Sequence, residues 1–146
     1  MPAVAHARVD CSGGALAPQV RAASTIFVGR LEAAGTVAAP VPSGHRGSPD
    51  AYVTFVVTRV LKGSLQVGDR VRVRWEGWSE PEDGEIVGGC RVPGTEAGET
   101  YPMDMLVLAS GSTDDLRVPN RSRSTRVIAA NRELVREVAR LSRRTR

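Results

Sequence analysis

The chain is 146 residues long, 41% hydrophobic and 25% charged, with a formal net charge of +4. That length fits one domain, the composition is that of a folded globular chain, and no apolar run approaches the roughly 20 residues a membrane-crossing helix needs. Aromatic residues make up only 4%, and two His and two Cys leave few side chains for catalysis or metal binding. The charge is unevenly placed: residues 121–146 hold nine Arg against Glu133 and Glu137, so the basicity belongs to the C-terminal segment. Lys62 is the only lysine, and the preference for Arg fits a GC-rich coding sequence as well as selection for phosphate-binding forks.

Taken in chain order, Met1 to Ala7 reads MPAVAHA. Its small-x-small ending is that of a secretory cleavage region without the charged and apolar stretches that precede one. Either a truncated signal or a frayed Ala-rich terminus accounts for it, and residues 1–10 are expected to be a tail before a single domain at 11–146. A short helix is expected between Ala15 and Ala23. Thr25 to Leu31 (TIFVGRL) has the β-branched and aromatic content of a strand. Residues 34–50, rich in Gly and Pro without periodicity, predict a loop.

Tyr52 to Leu61 (YVTFVVTRVL) is the strongest strand signal, and a period of two places Val53, Phe55, Val57 and Leu61 on one face. Arg70 to Trp75 (RVRVRW) alternates cleanly, with Val71, Val73 and Trp75 inward and Arg70, Arg72 and Arg74 outward. Residues 76–99 hold seven acids against Arg91 and predict mostly loop, with Trp78 exposed at its tip. Met103 to Ala109 and Leu116 to Val118 complete five strands. Near the C-terminus the period changes: Leu134, Val138 and Leu141, with Val127 and Asn131 extending the stripe backwards, form one helical face. The helix is expected over about 131–143, with Asn131 as N-cap and Arg140, Arg143 and Arg144 at the end where the dipole favours cations. Five short strands without βαβ alternation, plus a short N-terminal helix and a C-terminal amphipathic helix, predict an all-β core built as a five-stranded Greek-key OB-fold barrel.

Particular residues sharpen this. Cys11-Ser12, FVGRL at 27–31, FVVTRVLKG at 55–63, GDRVRV at 68–73, GGC at 88–90, Gly98, MDMLVLASG at 103–111, Leu116 and Thr125-Arg126 follow one another in an order that resembles bacterial netrin-like proteins. These are similar to the inhibitory domain of the tissue inhibitors of metalloproteinases, an OB-fold family. The resemblance covers about 11–141. It implies a disulfide between Cys11 and Cys90. The family's second bridge is missing at both ends, where Gly13 and Ser122 stand. Such a bridge implies an oxidising compartment and a secreted protein, against the alternative of two thiols in a cytosolic chain.

In the family's inhibitors the α-amine and carbonyl of the first cysteine chelate the protease zinc, and the next side chain enters the substrate pocket. The matching residues are Cys11 and Ser12, although ten residues precede Cys11 here, and an acylated amine cannot coordinate metal. The resemblance implies a secreted, monomeric, non-catalytic protein-interaction module. Its partner would be a protein, either an extracellular protease or a cell-surface component, with no cofactor and no metal. The partner-binding loop is expected at Trp78, Glu80 and Glu82. The alternative is an intracellular module binding single-stranded nucleic acid through Arg70, Arg72 and Arg74 and the basic C-terminus, with Tyr52, Trp78 and Tyr101 as stackers. No enzyme is expected: His6 and His45 lie apart from any nucleophile pattern, and Glu80, Glu82, Asp83 and Glu85 read as a solvated loop rather than calcium ligands.

Overall fold

The structure, a computed structural model, describes residues 16–85, 104–118 and 127–144, with the backbone alone at 33–35 and 127–129. The order of elements is α1 (Leu16–Ala22), β1 (Thr25–Ala39), β2 (His45–Ser48), β3 (Asp50–Lys62), β4 (Arg70–Trp75), β5 (Trp78–Pro81), β6 (Asp104–Ala109), β7 (Leu116–Val118), β8 (Val127–Ala129) and α2 (Arg132–Arg144). Among the described residues eight strands therefore replace the expected five, around an all-β core flanked by two helices. Six form one sheet in the order β7-β4-β3-β1-β6-β8, and β2 and β5 form a separate two-stranded ribbon. Every pairing in the larger sheet is antiparallel except β4 with β7, where Val73 faces Leu116 in parallel register. Beyond the strands, Ser110 and Arg117 exchange backbone hydrogen bonds of 2.9 and 2.8 Å, linking the end of β6 to β7.

The alternation read from Arg70 to Trp75 holds. Val71, Val73 and Trp75 are buried, and the three arginines face outward. With Phe27, Phe55, Val57, Val107, Leu116 and Val118 they make one apolar cluster, in which Phe27 and Phe55 meet edge to face with centroids 5.8 Å apart. The opposite face of β1 and β6 contributes Ile26, Val28, Leu106 and Leu108 to a second cluster, roofed by Val20 and Ala23 near α1 and by Val135, Val138 and Ala139 of α2. Because β1 and β6 are covered on both faces, β6 reads as a continuous apolar run, not an alternating one.

Leu61 departs from its expected face. The β1–β3 register slips between Val28 and Gly29, where Thr58 is left over, and again between Ile26 and Phe27. The extra residue at Thr58 inverts the parity, so Val60 packs on the first cluster, and Leu61, itself the residue left over at the second slip, is buried in the second. Two other expectations change because pairing partners lie far along the chain. The 34–50 segment contains the outer half of β1 and all of β2, and the 76–99 segment contains β5.

Val127 belongs to β8, pairing with Val107, and so does not continue the helical stripe. Helix α2 begins after Asn131, whose Oδ1 accepts a 2.8 Å hydrogen bond from the Leu134 N–H, as an N-cap does. Its buried face runs through Val135, Val138, Ala139 and Ser142, with Leu134 and Leu141 at the margins, one step around from the face expected. Replacing Asn131 with Ala is expected to cost about 1 kcal/mol of stability in chemical denaturation, with Asn131→Ser close to wild type. Lys62 serves the other helix: its Nζ donates to the carbonyl of Val20 at 2.8 Å, at the C-terminal end of α1 where a cation is favoured. Among the described residues no helix is long and apolar enough to cross a membrane.

Candidate functional site

The β2–β5 ribbon is assembled by one arginine. From β2, the Arg46 guanidinium donates through Nε to Glu80 Oε1 at 2.8 Å and through its two terminal nitrogens to the carbonyls of Glu82 at 3.0 Å and Gly84 at 2.9 Å. Three fork-like hydrogen bonds fix both the β5 strand and the turn after it, a use suited to a planar guanidinium and not to an ammonium. Glu80 is 9% exposed as a result. It is not a solvated loop residue, which corrects the sequence expectation: the carboxylate is withdrawn from solvent because the cation that neutralises it comes from β2.

Two glycines set the spacing. A Cβ on Gly47 would lie 2.0 Å from the Trp78 carbonyl oxygen, and one on Gly77 would lie 2.0 Å from the Ser48 carbonyl oxygen. Only residues without a side chain allow this backbone approach. Asp50, the first residue of β3, joins the ribbon to the sheet. Its Oδ1 accepts from the Gly77 N–H at 2.6 Å and its Oδ2 accepts from Arg74 at 3.1 Å. That hydrogen bond, with the carboxylate's charge, holds the Arg74 guanidinium above its ordinary pKa.

These contacts shape a cleft of about 190 Å³ between the chain leaving β1 and the ribbon. Pro40, Val41, Pro42 and Pro49 line it with Trp78, and Ser48, Asp50 and Ser79 supply polar edges. Proline rings fix their own backbone and offer no N–H, so the proline side of the cleft is stiff, while Ser48, Asp50 and Ser79 leave much of its surface polar. Trp78 is half-buried in β5 and is not exposed at a loop tip, because pairing with Ser48 makes this stretch a strand and not a loop. Glu82 is exposed, and it is its carbonyl, not its carboxylate, that the ribbon uses.

Cys11, Ser12 and Cys90 lie outside the described residues, as do His6 and Tyr101. The outward arginines of β4 are engaged. Arg70 pairs with Glu32 at 2.8 Å, Arg72 lies over the Tyr52 ring at 4.4 Å, and Arg74 is held by Asp50. Trp75 is core. His45 sits half-buried in β2 beside the Ser43 carbonyl, and no cluster of three or more His, Cys, Asp or Glu occurs among the described residues. What the cleft presents is a tryptophan, prolines and a few fixed hydrogen-bonding groups. Sequence reasoning missed Arg46, Asp50 and the three prolines. The only local hint was the pair of glycines, Gly47 before Ser48-Pro49 and Gly77 before Trp78, whose relation depends on the fold. No protein-family model matches the chain, and no curated protein matches it.

Proposed function

We propose that the chain is a secreted, non-catalytic protein-interaction module on an OB-type barrel, resembling the inhibitory domain of metalloproteinase inhibitors, with the Trp78 cleft as its recognition surface. The order of strand contacts supports the barrel. From β1 the pairings lead to β3, β4 and the parallel β7, and from β7 the Ser110–Arg117 bridge leads to β6 and back to β1. On this reading β8 and the ribbon are additions to a ring of five. A parallel pair between the third and last strands of such a ring is what the OB connectivity requires.

The observation that carries the functional reading is the cleft itself: a half-buried indole among three prolines, mounted on a ribbon fixed by Arg46 and Asp50. Stiff proline walls and a rigid aromatic lower the entropy lost on binding, and aromatic anchors carry much of the energy of protein interfaces. Recognition placed beside a rigid β scaffold is the usual arrangement for such folds. The nucleic-acid alternative is weakened by the engagement of Arg70, Arg72 and Arg74 with Glu32, Tyr52 and Asp50.

The test compares wild type and Trp78→Ala, immobilised in parallel, for retention of an extracellular protein. Truncating the anchor is expected to weaken retention about thirtyfold while lowering the melting temperature by no more than about 2 °C. Undiminished retention removes the cleft from the interface. A large loss of melting temperature makes Trp78 a core residue. Retention of single-stranded oligonucleotide that collapses with salt would favour the alternative.

A further inference from the structure

The described arginines differ in what compensates them. Arg30, Arg46, Arg70, Arg74, Arg117 and Arg140 each pair with a carboxylate, and Arg72 lies over Tyr52. Arg21 ends α1, and Arg143 and Arg144 end α2, where the helix dipole favours a cation. Arg59, Arg132 and Arg136 have no such compensation among the described residues. All three are exposed, and all three line one groove of about 580 Å³ between β3 and the first turns of α2.

Their placement is electrostatically unfavourable in the free chain. Arg132 opens α2, at the end of the helix whose dipole repels a cation. Arg136 follows four residues later on the same face, a spacing at which like charges repel, and Glu133 between them, which makes no ion pair with either among the described residues, offsets only part of this. Arg59 reaches the groove from beside the Thr58 bulge, and bulges commonly re-aim side chains next to functional sites. Val28 and Val135, both buried, line the groove with them, together with Thr58 and Asn131. One carboxylate, Asp104, stands at the rim, 3.9 Å from Arg30.

We propose that this groove binds a compact ligand carrying two adjacent phosphate groups. Guanidinium forks match phosphate oxygens, and three cations balance the charge of about −3 that two linked phosphate groups carry near neutral pH, less than twice that of a single phosphomonoester because they share the bridging oxygen. Compactness follows from the surroundings: Asp104 at the rim and exposed Glu133 beside Arg132 oppose a long polyanion running through. The groove shares no lining residue with the Trp78 cleft, so the two readings stand or fall separately.

The probe is inorganic pyrophosphate, titrated calorimetrically into the full chain at low salt. One saturable site is expected, weakened about tenfold or more by Arg59→Ala or Arg136→Ala and unchanged by Arg72→Ala. Arg132→Gln gives a second readout. It is expected to raise the ligand-free melting temperature by about 1 °C, because a repelled charge is gone, while shrinking the rise that pyrophosphate produces. Absence of saturable binding to wild type overturns the proposal, as does equal binding by the triple variant R59A/R132A/R136A. Loss of binding in Arg72→Ala would place the anion at β4 instead of in this groove, and would overturn the proposal. An affinity that climbs with the length of a phosphate polymer would replace the compact ligand with a polyanion track.

Discussion

Gly77→Ala is expected to lower the melting temperature by about 10 °C, from a cost of about 3 kcal/mol. The added methyl would stand 2.0 Å from the Ser48 carbonyl oxygen and 2.4 Å from the Pro49 carbonyl carbon. Both obstacles are backbone, so no side chain can swing away. Relief requires the turn before β5 to lift from the start of β3, which breaks the 2.6 Å hydrogen bond from Gly77 to Asp50 and opens the Trp78 cleft. Partner retention should therefore be lost together with stability, whereas Trp78→Ala loses retention alone. Denaturation melts of the two variants, run beside retention, check the distinction. A Gly77→Ala chain with wild-type melting would mean that the ribbon sits further from β3 than described.

Phe55→Ala is the other large effect, a loss of about 4 kcal/mol in denaturant unfolding. That is a sizeable fraction of the 5–15 kcal/mol typical of a folded domain, to within about a factor of two. Phe55 is fully buried and edge-on to Phe27. The space for both rings comes from Gly29, where a Cβ would lie 3.0 Å from Phe27 Cε2 and 3.1 Å from the Phe55 Cβ. Truncation removes the ring from a site walled by β-branched side chains on neighbouring strands, which limits collapse into the void. Phe55→Leu, which keeps most of the volume, should recover more than half of the loss. A cost under about 1 kcal/mol for the alanine variant would show that the first cluster tolerates a cavity.

What could be read from the sequence was the part governed by local periodicity. Arg70–Trp75 and Leu116–Val118 appear with the bounds expected, and the N-cap at Asn131 is where a side-chain acceptor should be. The failures share a cause, in that the deciding partner is remote. Residues 45–48 look like loop because Gly47 and its neighbours have low β-propensity, and they become a strand through pairing with 78–81. Glu80 looks solvated until Arg46, on another strand, removes it from water. Leu61 obeys the period of two only until the slip at Thr58. The candidate cleft was legible only as its tryptophan, since prolines that are punctuation in a sequence become walls in the fold.

The parallel pairing of β4 with β7 also bears on how the chain acquires its structure. β1 and β3 can meet early, because their ends are joined by a short excursion, and β4 can add at once to the exposed edge of β3. That three-stranded sheet still leaves the outer side of β4 and the free side of β1 without partners. β7 and β6 alone complete them, and both are encoded well downstream. On the ribosome, then, the free side of β1 stays open until Ala109 has emerged and that of β4 until Val118, and closing them requires bringing distant segments together. Such topologies fold in milliseconds to seconds, so the nascent chain has a long window in which an open edge can recruit another molecule.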